Sequence, residues 1–398
     1  MKIHESVETF QQRIESMNQM ADMKSQEERA CKSKPVLNLV KNFLINRKAV
    51  FYGGMAQNEY LPKEMKFYKS SDIPDYDVFS STPEKLATDL ADELMDKGYT
   101  FVTVKHAMHE GTYKVSWDFE DVADITKVSK SQETSMRRRA KKRSDGLLLC
   151  PLHLLKANAY LELAMPKSSM FRWAKVFERL QLLEEAYPIK RDEIQWKICK
   201  DDTLNELVSK CFAFLKRKAL PLTGNPAIQY YILNTFKKNR YLEWCPRLEA
   251  FTLNGEETLT SLKKMLDRSN RRYRVVESGA KEDTDRIADR EWTILDTDTE
   301  CPILRLKEVV NRCYSVQRAS NGVLYASIFL IITLTYRDLQ TFPKLQQIEH
   351  VVSGMIDNIR VDDFRVECFG SVRDMLSIKR SKIRKKMPAI FYDPERRK

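Results

Sequence analysis

The strongest pattern in the chain is an apolar run that ends in two glycines and is followed by a pair of acids. The run Val50–Tyr52 leads directly into Gly53 and Gly54, and about twenty residues later Asp75 and Asp77 stand among apolar neighbours. This order predicts a strand, a tight turn, a helix and a second strand. Side chains alternate between the two faces of a strand, so the two carboxylates share one face, with α-carbons roughly 6.5 Å apart.

The remaining apolar spacing predicts helices and strands along most of the chain. Helical spacing predicts one or two helices before residue 46, and the Thr82-Pro83 start with leucines every fourth residue predicts a helix that ends at Gly98. Strands are predicted at residues 101–104, 112–117 and 122–126, and helices at 150–163 and 170–187. Farther along the chain, the pattern predicts further helical segments at 195–260, a flexible charged loop at 271–299, and a buried helix or strand at 323–336. No internal repeat is detectable. Asp296 and Asp298 lack a preceding glycine pair, which favours turn or cap chemistry.

The acid pair is the candidate metal site. Two carboxylates on one face repel each other unless a cation lies between them, and Mg²⁺ or Mn²⁺ prefers oxygen ligands and also binds nucleotide phosphates. Asp124, on a neighbouring strand, offers the third carboxylate that a site for two ions needs. Gly53 and Gly54 would let a phosphate approach the backbone at the start of the following helix. Gly-Gly alone, or Asp-x-Asp alone, is more often a turn.

Composition favours a globular protein with a polyanionic partner. The chain has 398 residues, of which 42% are hydrophobic and 31% are charged, and its net charge is +12. Its length predicts at least two domains, and its charge favours nucleic acid. The polar start, and an apolar run at 323–336 that is shorter than the roughly 20 residues of a membrane span, predict no membrane partner. The eight cysteines lack any Cys-x-x-Cys pair, which predicts reduced thiols in a cytosol-like compartment.

Three clusters of cations are candidate contacts for phosphates. The first is a dense run that is equally typical of a solvated loop and of an RNA contact: Arg137, Arg138, Arg139, Lys141, Lys142 and Arg143. A similar run at residues 379–386 is a second RNA candidate. Arg172, Lys175 and Arg179 form one stripe of a predicted helix, which either binds a triphosphate or is solvated.

Several motifs together carry a family resemblance. They are, in order, Tyr52-Gly53-Gly54, Pro74-Asp75-Tyr76-Asp77, Glu110-Gly111-Thr112-Tyr113, Val122-Ala123-Asp124-Ile125-Thr126, Asp145-Gly146-Leu147 and the stretch 172–179. Over roughly residues 45–190 the chain resembles the poly(A) polymerase catalytic subunit of large nucleocytoplasmic DNA viruses. The resemblance implies an α/β (α+β) fold with a polymerase-β-like nucleotidyltransferase domain and mixed sheet, a helical segment, and a second C-terminal α/β domain.

The resemblance also implies an activity and roles for the candidate residues. The activity is template-independent transfer of AMP from ATP to RNA 3′ ends with two Mg²⁺ or Mn²⁺ ions. The acid triad falls on Asp75, Asp77 and Asp124, and the cations near the triphosphate fall on Lys175 and Arg179, beside Arg172. Trp117-Asp118 departs from the expected central strand, which makes Asp118 a rival third ligand. The apolar neighbours of Asp124 favour Asp124.

The sequence therefore predicts four segments and leaves alternatives open. The segments are an N-terminal helical segment (1–46), a catalytic domain (47–190), a helical segment (191–265) and a C-terminal domain with a basic tail (266–398). The expected partners are ATP and an RNA 3′ end, with a homodimer left open, in the host cytoplasm, a virus factory or the virion. Alternatives are a CCA-adding or oligoadenylate-forming enzyme of the same fold, or a non-catalytic RNA-binding subunit. Intact glycines and acids argue against the last.

Overall fold

The computed structural model divides the chain into two compact units. The first contains Met1–Pro151 and the second contains Leu152–Lys386. The residues that the structure describes are 2–68, 72, 74–107, 111–166, 170–188, 202–233, 248–268, 272–279, 288, 290–309, 313–338, 352, 355–356, 359, 363 and 366–370. The predicted division into four segments does not coincide with these two units, since the predicted catalytic domain (47–190) crosses the boundary after Pro151, and it stays a prediction. The basic run at 379–386 lies outside the described residues.

The first unit is an α/β unit built on a mixed sheet. Its helices are α1 (Lys2–Asn46), α2 (Gly53–Tyr60), α3 (Pro83–Asp96) and α4 (Lys130–Arg139). Its strands are β1 (Val50–Tyr52), β2 (Tyr76–Ser80), β3 (Val102–His106), β4 (Thr112–Trp117), β5 (Glu120–Lys127), β6 (Lys141–Lys142) and β7 (Leu148–Leu149). The strand order is β3-β4-β5-β2-β1-β7-β6, in which β2 pairs parallel with β5 and antiparallel with β1.

One face of this sheet is apolar and the other is polar, because its strands alternate in sequence. In β4 the polar residues Thr112, Lys114 and Ser116 alternate with apolar residues, of which Val115 is fully buried. Helix α3 packs on the apolar face with its buried leucines. The opposite face is therefore left for polar side chains.

The second unit contains a larger mixed sheet and several helices. Its helices are α5 (Leu152–Leu163), α6 (Trp173–Ala186), α7 (Asp202–Arg217), α8 (Gly224–Leu233), α9 (Gly255–Leu266) and α10 (Ile328–Asp338). Its strands are β8 (Leu222–Thr223), β9 (Leu248–Thr252), β10 (Tyr273–Gly279), β11 (Arg290–Asp296), β12 (Pro302–Glu308), β13 (Tyr314–Arg318), β14 (Leu324–Ala326) and β15 (Glu367–Phe369). Their order is β10-β11-β12-β9-β8-β14-β13-β15.

The second sheet repeats the topology of the first. Strands β8, β9 and β12 take the places of β1, β2 and β5: β9 is antiparallel to β8 and parallel to β12. Strands β10 and β11 likewise take the places of β3 and β4, and β14 and β13 those of β7 and β6. A glycine starts the helix after the first strand in both cases, Gly53 in α2 and Gly224 in α8. The repeat escapes detection in the sequence because topology depends on strand pairing, whereas side chains on matching positions differ.

Most predicted elements of the first unit are confirmed, as is the fold class, but three other expectations are wrong. The predicted loop at 271–299 contains strands β10 and β11. Strand β9 falls within a stretch predicted to be helical. Cys313 and Cys368 form a disulfide with sulfurs 2.08 Å apart, although only reduced thiols are predicted. Their approach depends on β13 pairing with β15, which the sequence pattern does not show.

Asp296 takes the cap role that is predicted for it. Its Oδ1 accepts hydrogen bonds from the backbone N–H groups of Asp298 and Thr299 at 3.0 and 2.9 Å. Among the described residues, no helix has both the length and the apolar character that crossing a membrane requires.

Candidate active site

Asp75, Asp77 and Asp124 converge on the polar face of the first sheet. Asp77 in β2 lies directly opposite Asp124 in β5, and Asp75 precedes β2 by one residue. One carboxylate oxygen from each acid lies within 4.8 Å of the others, and all three side chains are half-buried. Among the residues that the structure describes, this is the one group of three such ligands. Since this spacing suits a shared hard cation, the triad fits the predicted metal site.

The glycine turn lies directly against this triad. Gly53 has φ +68°, and a β-carbon at this position would lie only 1.9 Å from Asp77 Oδ2. Both the backbone conformation and the close approach therefore require glycine. The turn places the start of α2 beside the acids, as predicted for Gly53 and Gly54, whose contact with a nucleotide stays a prediction.

Tyr52, to which the sequence analysis assigned no role beyond its motif, supports the acids from the neighbouring strand. Tyr52 lies opposite Asp77 in the strand register and stacks on Phe79 with ring centroids 3.9 Å apart. Its hydroxyl shares a hydrogen bond of 2.7 Å with Thr126, which shares another of 2.9 Å with Thr112. Burial, followed by the charge of Asp77, raises the pKa of Tyr52, so it stays neutral. These two hydrogen bonds join β1 to β5 and β4 through Thr126, which lies two residues after Asp124 in β5.

A lysine on the neighbouring strand also went unrecognised. Lys114 Nζ lies 2.7 Å from Asp121 and 3.1 Å from Asp124. Burial raises the pKa of Asp124, and Lys114 opposes that rise. Burial alone would lower the pKa of Lys114, but the hydrogen bond to Asp121 and the charge of Asp124 raise it overall, so it is a cation. The alternation of Thr112, Lys114 and Ser116 in the sequence is a signal by which this polar face could have been found.

Asp118 lies apart from the triad, as its charged surroundings in the sequence predict. It has φ +49° at the turn between β4 and β5 and forms an ion pair with Lys32 of α1. Asp121, the other acid nearby, accepts hydrogen bonds of 2.7 Å from Lys114 and Ser116. The structure thus brings Asp124, rather than Asp118, together with the acid pair.

The basic run at 137–143 is more ordered than a solvated loop. It spans the end of α4, which begins with a capping box at Ser129, and the short strand β6. Arg137 donates to Glu133 at 2.7 Å, and Arg143 pairs with Asp145 at 3.5 Å. Arg139 donates to Ser135, and Lys141 lies over the ring of Tyr60. Arg138 and Lys142 are exposed and form no ion pair within the described residues, and the contact of the run with RNA stays a prediction.

The cationic stripe of Arg172, Lys175 and Arg179 belongs to the second unit. Arg172 precedes α6 and pairs with Glu162 at 3.3 Å, whereas Lys175 and Arg179 lie within α6. Its assignment to the triphosphate stays a prediction.

Among the described residues, the second sheet has no acid triad at the matching place. Glu249 occupies the position of Asp77 and lies close to Gly224, but Arg305 occupies the position of Asp124. Lys307 Nζ lies 3.3 Å from Glu249, and both side chains are about nine-tenths buried. A buried ammonium thus neutralises the remaining acid here, which removes the electrostatic reason for a metal ion.

Comparisons with known proteins agree with the motifs. The family model described as the poly(A) polymerase catalytic subunit matches residues 38–169. A protein of Acanthamoeba polyphaga mimivirus is 28% identical over 249 residues, which is 56% of this chain and 42% of that protein. A protein of African swine fever virus (isolate Pig/Kenya/KEN-50/1950) is 31% identical over 172 residues, 41% of this chain and 35% of that protein. Both names describe a poly(A) polymerase catalytic subunit.

These matches confirm the resemblance but span under half the length of the two relatives. The crystal structure of the Megavirus polyadenylate synthase aligns with a TM-score of 0.78 at 20% identity, covering 96% of this chain and 82% of that chain. At this identity the alignment shows a shared fold across both units.

Proposed function

We propose that the chain is a template-independent poly(A) polymerase that transfers AMP from ATP to the 3′ end of RNA. The observation that carries this proposal is the convergence of three carboxylates beside a glycine turn, within the segment that matches the family. Three carboxylates that lie this close together repel one another, so we expect cations to bind between them.

The residues of the site fit divalent ions. The three acids offer oxygen ligands, and Asp124 Oδ1 is buried without a hydrogen bond from the described residues. We assign Asp75 and Asp77 as ligands shared by two ions and Asp124 as the additional ligand of the ion nearer the RNA. Bound Mg²⁺ or Mn²⁺ would favour deprotonation of the RNA 3′-hydroxyl and offset the negative charge on the phosphates of ATP.

Other residues would orient the substrates. At Gly53 and Gly54 the absence of side chains lets the triphosphate approach the start of α2, where backbone N–H groups favour anions. Arg172, Lys175 and Arg179 are our candidates for further contacts with the triphosphate. The hydrogen bonds that link Tyr52, Thr126 and Thr112 would hold the strands, and with them the carboxylates, at a fixed separation. In-line transfer requires such fixed positions.

The first prediction concerns the nucleotide. The purified chain, incubated with a 5′-labelled short RNA, Mg²⁺ or Mn²⁺, and each nucleoside triphosphate separately, is expected to extend the RNA with ATP far better than with the other three. Denaturing gels give the product lengths. Equal use of all four triphosphates would contradict polyadenylation.

The same assay separates the alternatives. Addition of CTP followed by ATP, ending after three residues, would identify a CCA-adding enzyme. Products that resist nucleases specific for 3′-5′ linkages would identify an oligoadenylate-forming enzyme. Binding of RNA without extension by any nucleotide would identify a non-catalytic subunit.

The second prediction concerns the basic run. If Arg138 and Lys142 contact phosphates, replacing both with glutamine should reduce the slope of log affinity against log salt by about 1.4, since each contact to a single strand contributes about 0.7. Fluorescence anisotropy with a labelled RNA at several salt concentrations measures this slope.

Arg137 provides the matched control within the same run. Because its guanidinium is already paired with Glu133, Arg137→Gln should leave the slope unchanged and instead lower the thermal stability. An unchanged slope in the Arg138 and Lys142 double variant would mean that these two residues do not contact RNA, and an unchanged slope after all six cations are replaced with glutamine would exclude the whole run.

A further inference from the structure

Lys114 lies between two acids on the face that carries the triad. Its register partner on β5 is Asp124, and its Nζ lies 3.1 Å from Asp124 Oδ1 and 2.7 Å from Asp121 Oδ2. The other oxygen of Asp121 accepts a hydrogen bond of 2.7 Å from Ser116 Oγ. Ser116 therefore fixes Asp121, Asp121 fixes Lys114, and the ammonium is held against the third acid of the triad.

The contact matters because, among the described residues, no other cation lies against this oxygen of Asp124. Oδ1 of Asp124 is buried, and none of the described residues donates it a hydrogen bond of normal geometry. Both side chains of the pair are about 20% exposed, so water screens their charges only in part. The ammonium is thus the group that balances this carboxylate when no other cation is bound.

We infer that Lys114 is a positioning residue that serves as an internal counter-ion of the acid triad and competes with a divalent ion for Asp124. In the absence of the ion it holds Asp124 in place, and its positive charge weakens the binding of a free divalent ion. The triphosphate of ATP brings negative charge that offsets this repulsion, so the ion is favoured to enter together with the nucleotide. The inference rests on the metal site of the proposed function.

The sign of the change in metal affinity tests this role. Mn²⁺ binding to the full chain, without RNA or nucleotide, can be followed by the electron paramagnetic resonance signal of free Mn²⁺. Lys114→Met is expected to bind Mn²⁺ about tenfold more tightly, because it removes a repulsive charge next to the ion and leaves a buried carboxylate that the ion can neutralise. Lys114→Arg keeps the charge and should bind like the unmodified chain.

Lys105 offers a matched control. It is the register partner of Lys114 on β3 and is exposed. Lys105→Met removes the same charge one strand farther from Asp124, so Mn²⁺ affinity should change by no more than about twofold. An equal rise in both variants would mean that net charge alone sets the affinity, and it would overturn the specific role of Lys114.

A purely structural role predicts the opposite sign. If Lys114 only supports the shape of the site, Lys114→Met should bind Mn²⁺ as weakly as the unmodified chain or more weakly, and this result would overturn the inference. Should circular dichroism show that Lys114→Met does not fold, Lys114→Gln decides, because its amide can still donate to Asp121 while the positive charge is absent. When ATP is added without RNA, the difference in Mn²⁺ affinity between Lys114→Met and the unmodified chain should narrow to less than about threefold. An undiminished difference would overturn the inference that the ion and the nucleotide enter together.

This test is separate from that of polyadenylation. Tighter Mn²⁺ binding by Lys114→Met in a chain that never extends RNA would support the inference while contradicting the proposed function. Extension of RNA by the unmodified chain, together with unchanged Mn²⁺ affinity in Lys114→Met, would support the proposed function and contradict the inference about Lys114.

Discussion

Replacing Asp77 with asparagine is expected to lower the rate of RNA extension at least about 10³-fold while the fold stays intact. Asp77 is central to the site, since it lies opposite Asp124 in the register and its carboxylate packs against Gly53. Asparagine keeps the shape of the side chain but removes a negative charge that would help to hold the divalent ions. Single-turnover extension with saturating RNA and ATP measures the loss in the chemical step.

A second readout separates loss of chemistry from loss of structure. Because the three acids repel one another in the absence of a cation, Asp77→Asn should have the same thermal midpoint as the unmodified chain or a higher one. RNA affinity should also be unchanged. Near-normal extension by this variant would contradict the assignment of the metal ligands.

Asp118 supplies the matched control for this substitution. It is an acid of the same unit, at the turn between β4 and β5, and its partner is Lys32 rather than the triad. Asp118→Asn should therefore cost little more than a surface change and retain most of the activity. An inactive Asp118 variant alongside an active Asp124→Asn variant would place the third ligand at the end of β4.

Gly53→Ala is the second substitution with a large expected effect, at least about 10²-fold on extension. Its φ of +68° is unfavourable for alanine, and the new β-carbon would lie 1.9 Å from Asp77 Oδ2. The carboxylate must move to relieve this clash, and a displacement of about 1 Å in a reacting group can cost about 10²-fold in rate. Mn²⁺ binding and extension should therefore decline together.

Gly98→Ala separates the clash from the backbone strain. Gly98 also has a positive φ, +86°, but nothing lies within 4 Å of the position that its β-carbon would take. This variant should lose about 1 kcal/mol of stability from the unfavourable backbone conformation and keep its rate of extension. If both alanine variants lose only stability, the close approach of Gly53 to Asp77 is unimportant for catalysis.

Local patterns in the sequence were sufficient to predict the elements around the acid triad. The strand, glycine turn and second strand around Asp75 and Asp77 follow from short-range spacing, since side-chain alternation and backbone freedom are properties of a few neighbouring residues. The choice of Asp124 over Asp118 also came from its immediate neighbours, because a carboxylate flanked by apolar residues lies within a sheet. Helix α3 begins at the predicted proline and ends two residues before the predicted glycine.

Predictions from the sequence failed where charged residues belong to strands or helices whose partners are far away. Strands β10 and β11 contain charged residues, so the pattern favours a loop, and only their pairing with each other and with β12 makes them strands. In the basic run, by contrast, Glu133 and Arg137 have the i, i+4 spacing of a helical ion pair, which the sequence does contain. Position on a helix face decides which cation remains available.

The sequence by itself thus determined the identity of the acids, the glycine turn and the fold class, because each depends on local spacing. Only the tertiary structure decided that Lys114 lies against Asp124, that Tyr52 is tied to Thr126, and that the second sheet repeats the first with Glu249 and Lys307 in place of an open acid site. The physical reason is that these contacts are set by the register between strands. That register is fixed by the packing of one whole face of each sheet, and the residues of such a face come from distant parts of the sequence.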